Sequence, residues 1–300
     1  MGDTLVAARL VQFAAAMVLL GAPCFVLALV AACPGAAQVQ RDFALWLRRW
    51  LVVSGFVALA SSLLWLDLEA GIMGDGWGQM LDPGTISAVL FETRFGLAWC
   101  LHLGLEVALL LLLGVAGRAT GVIALLAALH AASLAWAGHA MMAPGVSHIL
   151  VMAVHLLAGG LWLGSLPALH HLAILARGHG TAEARAALRR MLPLYSRAGY
   201  GAVALVVLTG VINSLFLVGG PGPLLTSTYG HVLLVKIVLV LIMVAIAVDN
   251  RFIIQPRILA TDEVRAVPIS TLAKSIAWEQ AVAFLVLAAV SLLGTLPPAM

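Results

Sequence analysis

Hydrophobic residues occur in long runs along this chain, and short polar connections separate the runs. A helix needs roughly 20 apolar residues to cross a bilayer, and the runs are of that length. Because a chain in lipid must satisfy its own backbone hydrogen bonds, such runs predict membrane-spanning helices, and no alternating strands typical of a barrel are present. The pattern predicts eight spans, at residues 5–32, 42–67, 95–116, 120–140, 147–174, 195–218, 230–249 and 272–295.

Composition supports the same fold class. The 300 residues are 63% hydrophobic and only 10% charged, which excludes a water-soluble globular protein. We therefore expect an all-α, polytopic integral membrane protein with a single membrane domain over residues 1–300. Within it, residues 1–143 hold helices 1–4 and residues 144–300 hold helices 5–8. The sequence contains no nucleotide-binding loop, and we expect neither an enzyme nor a nucleic-acid partner.

Basic residues mark one side of the predicted bundle. Cytoplasmic connections of membrane proteins are enriched in Lys and Arg. Thirteen such residues flank the first, third, fifth and seventh connections, whereas the other side has only Arg9 and Arg94. This asymmetry predicts a multi-pass protein of the bacterial inner membrane with both termini in the periplasm. The net charge of +3 then reflects topology rather than an anionic partner.

The fifth run combines spanning length with polar side chains. His148, Met152, His155, Gly159 and Trp162 follow one another at intervals of four, three, four and three residues, which places them on one helical face. Polar groups inside a membrane are costly, usually face the bundle interior and are candidates for a functional site. A single buried histidine is nevertheless often a packing residue, and a methionine in a span is often a core residue.

Histidines are concentrated in the outer half of the predicted bundle. Six of the nine lie there, and methionines accompany some of them, as in the sequence GHAMM. Imidazole and thioether ligands together suit copper, in the Cu(I) or Cu(II) state. The candidate metal ligands are His148, His155, His139, Met152, His102, His130, Met141, Met142 and His231.

Motifs in the second half of the chain resemble a known family. The motifs begin with His148 and His155 and then run through the residues of seven further segments: GLWLGSL at 160–166, YSR at 195–197, LTGVIN at 208–213, TYG at 228–230, LVK at 234–236, NR at 250–251 and GTLPP at 294–298. With Glu279, this pattern resembles the copper resistance protein D family of the CopD/PcoD type over residues 145–298. The family usually has glycine where Ser165 stands.

The resemblance implies an inner-membrane protein that handles copper, often beside a periplasmic copper-binding partner of the CopC type. It also implies passage of copper into the cytoplasm. Because no phosphorylation motif or ATP-binding loop is present, such passage would be driven by a gradient, by exchange or passively.

Three functions are compatible with these residues. In the first, copper is received by His139, Met141, Met142 and His148 and moves inward to His155 with His102 or His130, in binding that weakens as acidification protonates the imidazoles. In the second, two histidines ligate a b-type haem for electron transfer. In the third, the protein binds copper as a scaffold or sensor without transporting it.

Overall fold

Helices build this protein throughout the part of the chain that the structure describes. The structure is a computed structural model, and it describes residues 1–74, 76–115, 119–137, 146–177, 181–260 and 266–299. The α-helices are α1 (Gly2–Ala32), α2 (Ala37–Met73), α3 (Pro83–Glu92), α4 (Arg94–Val115), α5 (Thr120–Ser133), α6 (Val146–Leu163), α7 (Leu166–Ala176), α8 (Ala182–Val218), α9 (Pro221–Thr226), α10 (Thr228–Asp249), α11 (Gln255–Leu259) and α12 (Ala266–Leu293). A 3₁₀ turn, Leu134–Ala137, extends α5, and a π turn, Asn250–Ile254, joins α10 to α11.

Eight helical stretches among the described residues are long and apolar enough to span a membrane, which confirms the predicted all-α polytopic fold. Each predicted run corresponds to one of them. The fifth span, Ser147–Ala176, consists of α6 and α7 with a break between them. Pro167 lies in the first turn of α7, where a missing N–H does not weaken the helix, and this placement explains why the chain bends there.

Two helical features lie outside the predicted spans. The arginine-rich segment 181–190 forms the first turns of α8, which Thr181 caps and which continues through Pro193 into the sixth span. The connection after α2 contains α3, whose first backbone donors are capped by Asp82. The bond from the Thr85 backbone N–H lowers the pKa of that exposed carboxyl group.

Helix α1 lies at the centre of the bundle. It packs against α2, α5, α6, α7, α8 and α12. In its most apolar 18-residue window 67% of the residues are buried, compared with 11% in the seventh span, so α1 has protein on nearly all sides. Most side chains of α1 in this window therefore face other helices, while Val11, Leu27 and Val30 are exposed.

A close helix crossing holds α1 against the fifth span. A β-carbon on Gly21 would overlap the backbone of Gly164, and one on Gly164 would overlap the Met17 carbonyl. Small residues permit this approach, which membrane helices use because lipid provides no hydrophobic drive for their association. The GLWLGSL segment thus contributes packing as well as the buried Trp162.

We predict that Gly164→Ala destabilises the protein, because the new methyl group meets backbone atoms that cannot move independently. The expected loss is about 1–3 kcal/mol of unfolding free energy, as for other overpacked sites. Gly104→Ala is the matched control, since nothing lies within 4 Å of its added carbon. Thermal unfolding in detergent checks this, and equal midpoints for the two variants would contradict the crossing.

Candidate metal centre

Two histidines and a glutamate meet in the interior of the bundle, near the N-terminal part of α1. His102 and Glu106 are one turn apart on α4, and His130 comes from α5. One ligand atom from each lies within 4.8 Å of the others, and all three residues are at most 2% exposed. Glu106 Oε1 lies 3.0 Å from His130 Nε2 and 3.4 Å from His102 Nε2. The structure therefore brings together two of the predicted ligands and adds a carboxylate.

Gln12 of α1 reaches the centre of this group. Its amide Nε2 lies 2.8 Å from His102 Nε2, 2.8 Å from Glu106 Oε1 and 3.4 Å from His130 Nε2. The Gln12 carbonyl oxygen accepts a 2.6 Å hydrogen bond from Ser61 Oγ. The amide thus occupies the point toward which the three ligand atoms converge, and a metal at that point would displace it.

Hydrogen bonds fix the tautomer of His102. Ser133 Oγ donates its proton to the His130 carbonyl, so it accepts from His102 Nδ1–H at 2.7 Å. The lone pair of His102 Nε2 therefore points toward Gln12, which donates to it. A metal-binding imidazole needs this arrangement, in which the outer nitrogen donates to a fixed acceptor.

Aromatic stacking holds both imidazole rings in place. The His102 ring stacks on His130 with centroids 4.4 Å apart, and Trp99 covers its other face at 4.6 Å. Trp99 in turn lies 4.7 Å from the Trp65 ring. Because both faces of His102 are covered, this ring is available only along its edge.

The residues fit a small metal ion. With bonds of about 2.0 Å in a tetrahedral site, neighbouring ligand atoms lie about 3.3 Å apart. The measured separations from Glu106 Oε1 are close to that value. Two buried atoms of the cluster, Glu106 Oε2 and His130 Nδ1, lack a hydrogen-bond partner among the described residues. Such unsatisfied donors and acceptors are unusual inside a protein and are common where an ion or ligand binds.

The second group of candidate ligands lies between α6 and α8. His148 is fully buried and stacks on Phe216 at 4.7 Å, and neither of its ring nitrogens has a partner in the described structure. Met152 Sδ lies 3.9 Å from Asn213 Nδ2, while Asn213 Oδ1 is unpartnered and Asn213 adjoins His148. These side chains form a set of nitrogen, sulfur and oxygen donors without strong partners of their own.

His155 lies on the wall of a cavity between α1, α6, α8, α10 and α12. Thr209 donates its proton to the Leu205 carbonyl, so its oxygen accepts from His155 Nδ1–H at 2.8 Å. Lys236 interacts electrostatically with His155 across the same cavity. The described contacts of His155 thus differ from those of His102 and His130.

The remaining candidates are dispersed or outside the described residues. His231 is exposed at the beginning of α10 and makes a 2.8 Å hydrogen bond to the Leu225 carbonyl. His139, Met141 and Met142 lie outside the residues that the structure describes. Their proposed role as ligands stays a prediction.

The sequence interpretation missed Gln12, Ser133 and the role of Glu106 at this site. Arg9 was counted as a flanking cation, although it is 5% exposed and packs inside the bundle. A signal was present, because Arg9 and Gln12 are polar residues within an otherwise apolar span. Polar residues at that depth are expected to have buried partners.

Comparison with known proteins places these helices in one family. The model for the copper resistance protein D-like N-terminal domain matches residues 1–149, and the model for copper resistance protein D matches residues 189–293. Copper resistance protein D of Pseudomonas syringae pv. tomato is 31% identical over 267 residues, which cover 84% of each chain. The chain belongs to the copper resistance protein D family.

Two further relatives of this copper resistance protein D family member have different names. The inner membrane protein YebZ of Escherichia coli (strain K12) is 35% identical over 245 residues, covering 80% of this chain and 81% of the relative. The copper transport protein CutJ of Bacillus subtilis (strain 168) is 28% identical over 201 residues, covering 62% and 36%. No solved structure matches the chain. The family is one of copper resistance and transport rather than an enzyme family.

We predict that Gln12→Leu lowers the unfolding free energy of the metal-free protein by roughly 1–3 kcal/mol, because His102 and Glu106 each lose a buried hydrogen bond. Gln280→Leu is the control, since its buried amide nitrogen has no partner in the described structure. Unfolding midpoints measured with a chelator present compare the two. Equal effects would show that the Gln12 contacts add no stability.

Proposed function

We propose that this protein takes copper from the periplasm and passes it toward the cytoplasm, holding the ion at the His102–Glu106–His130 cluster on the way. The convergence of two imidazoles and one carboxylate on a single buried point carries this proposal. Imidazole suits copper in proteins, and among first-row divalent ions copper binds such ligands most tightly. Membership of a copper resistance family supports copper as the cargo.

Charge distinguishes this cluster from the other candidate positions. Glu106 provides a negative charge that offsets the charge of a metal ion inside the membrane. His155 instead lies near Lys236, whose positive charge repels a metal cation. A copper role for His155 remains a prediction, and we place the principal site at Glu106.

Copper reaches the cluster from the outer ends of the helices. The segment with His139, Met141 and Met142 directly precedes α6, whose first turns carry His148 and Met152. The unpaired ring nitrogens of His148 and the unpaired Asn213 Oδ1 support a receiving site there. Sites with few ligands hold an ion without trapping it, which suits transfer. A periplasmic CopC-type protein would deliver the ion to this end.

This direction requires both termini to face the periplasm. The distribution of Lys and Arg favours that orientation. The burial of Arg9 strengthens this asymmetry in Lys and Arg, because its side chain faces the bundle interior. Of the two cations counted on the periplasmic side, only Arg94 then flanks a connection.

We predict that alkaline phosphatase fused after Met300 is active in cells, because this enzyme folds only in the periplasm. A green fluorescent protein at the same position should be dark, because it does not become fluorescent after export through the Sec route. A fusion at the connection near Arg185 should give the reverse pattern. A bright C-terminal fluorescent protein would contradict the orientation and the direction of transfer.

The haem hypothesis predicts a different histidine geometry, and the scaffold hypothesis predicts copper binding without flux. A haem between two histidines needs ring edges that face each other across the macrocycle, whereas His102 and His130 stack face to face at 4.4 Å. This geometry favours an ion over a haem at the cluster. A scaffold would bind copper at the same residues without moving it, so measurements of binding and of flux are both required.

We predict that Glu106→Gln and His102→Gln/His130→Gln each weaken copper binding by at least tenfold, because each removes ligand atoms or the balancing charge. His231→Gln is the matched control, since its ring is exposed and bonded to backbone. Copper titration of detergent-purified protein, with metal analysis and an absorption spectrum, provides the measurement. Wild-type affinity in Glu106→Gln would refute the cluster as the copper site, and a Soret band would favour haem.

Flux is tested with the same variants in sealed proteoliposomes that contain a copper-sensitive dye. Wild-type protein and His231→Gln should admit copper, and the cluster variants should not. Copper binding without protein-dependent influx would favour the scaffold hypothesis. Replacing His148 by Ala tests the receiving site separately, because the cluster ligands remain intact.

A further inference from the structure

Two cationic side chains, Arg9 and Lys236, line the cavity between α1, α6, α8, α10 and α12. Its volume is about 170 Å³, whereas about 10–15 Å³ of such space holds one water molecule. Arg9 and Lys236 line it from different helices, and no carboxylate is among the described residues that line it. Most of the other lining side chains are aliphatic, aromatic or methionine, so the cavity combines a cationic part with an apolar part.

Arg9 is held in position but lacks a hydrogen-bond partner. Arg9 is 5% exposed, and its Nε has no hydrogen-bond partner among the described residues. The guanidinium lies 4.3 Å from the Trp65 ring centroid and packs against Gly294, where a β-carbon would overlap it. Glu69 attracts Arg9 electrostatically from beyond ion-pair distance, since it forms no ion pair with Arg9 in the described structure. The buried Nε–H of Arg9 thus has no acceptor among the described residues, and Arg9 lines the cavity.

Lys236 is likewise without a carboxylate partner in the part of the chain that the structure describes. The buried carboxylate on α12, Glu279, accepts hydrogen bonds from Trp162 Nε1 at 3.2 Å and Asn250 Nδ2 at 3.4 Å. Glu279 lines a second cavity, whereas Lys236 lines the first. Trp162, which donates to Glu279, borders both cavities.

We propose that this cavity binds an organic monoanion, a carboxylate with an apolar body, through Arg9 and Lys236. An unpaired charge inside a membrane is expensive, and a bound carboxylate offsets one positive charge while it accepts hydrogen bonds from both side chains. The volume and apolar walls favour a molecule of several carbon atoms over a simple halide. The anion comes either from the bilayer, as a lipid or fatty acid, or from solution. The inference does not depend on the copper proposal, because neither cation belongs to the histidine cluster.

Hexanoate and its uncharged counterpart hexanamide are the probes. Both are transparent where tryptophan absorbs, and Trp65 and Trp162 in the cavity wall report binding through their fluorescence. We expect hexanoate to bind the full-length, delipidated protein and hexanamide to bind at least tenfold more weakly. Equal affinities for the two probes would overturn the proposal, since a charge-independent apolar cavity would suffice.

Lys236→Met is the test variant, because it keeps an unbranched side chain only one heavy atom shorter and removes the charge. We expect hexanoate affinity to fall at least tenfold, and Lys236→Arg to restore it. Lys274→Met is the matched control, since Lys274 is exposed and outside the cavity. Wild-type hexanoate affinity in Lys236→Met would overturn the proposal.

Stability and retained ligands provide a second measurement. Without added anion, Lys236→Met should unfold at a temperature equal to or above that of wild type, because an uncompensated charge is gone. A clear loss of stability would contradict that view of Lys236.

Native mass spectrometry of protein taken from membranes identifies the source of the anion. A bilayer anion retained by wild type and absent from Lys236→Met assigns the ligand to lipid, and hexanoate binding without such an anion assigns it to solution.

Discussion

The burial of two polar side chains on the central helix is the constraint on which the rest of the structure depends. Arg9 and Gln12 are 5% and 0% exposed, so both lie among other helices, away from the surface of the bundle. In such surroundings each polar group needs a partner from another helix. Gln12 finds its partners on α2, α4 and α5, and Arg9 faces an aromatic ring and a cavity. The arrangement of the neighbouring helices follows from these needs.

Two adjacent faces of α1 therefore differ in electrostatic character. Arg9 and Phe13 line the cavity, while Gln12, about 60° from Arg9 around the helix, contacts Glu106. Rings connect the two sides, because Trp65 contacts both Arg9 and Trp99, and Trp99 stacks on His102. A cation is favoured on the Glu106 side and an anion on the Arg9 side. One helix thus separates two binding environments of opposite preference.

The number of helices could be predicted from sequence because span length depends on local hydrophobicity alone. The meeting of His102 with His130 could not, since it depends on how α4 and α5 pack around α1, and no local pattern encodes that. The predicted shared face on α6 was informative, because Met152, His155, Gly159 and Trp162 line one cavity. His148 packs instead against Phe216, which only the position of α8 determines. Gln12 and Arg9 escaped notice because charge counting treats the ends of a span as surface.

The close contact of Gly21 with Gly164 has a consequence for how the protein is made. The two residues are 143 positions apart, and Gln12 is 118 positions from His130. At roughly 5–20 residues per second, His130 is synthesised about 6–24 seconds after Gln12. During that interval α1 has been made, but most of the surface it packs against has not. The packing around the first helix is therefore completed late in biogenesis, when the last span, which contains α12, has been made.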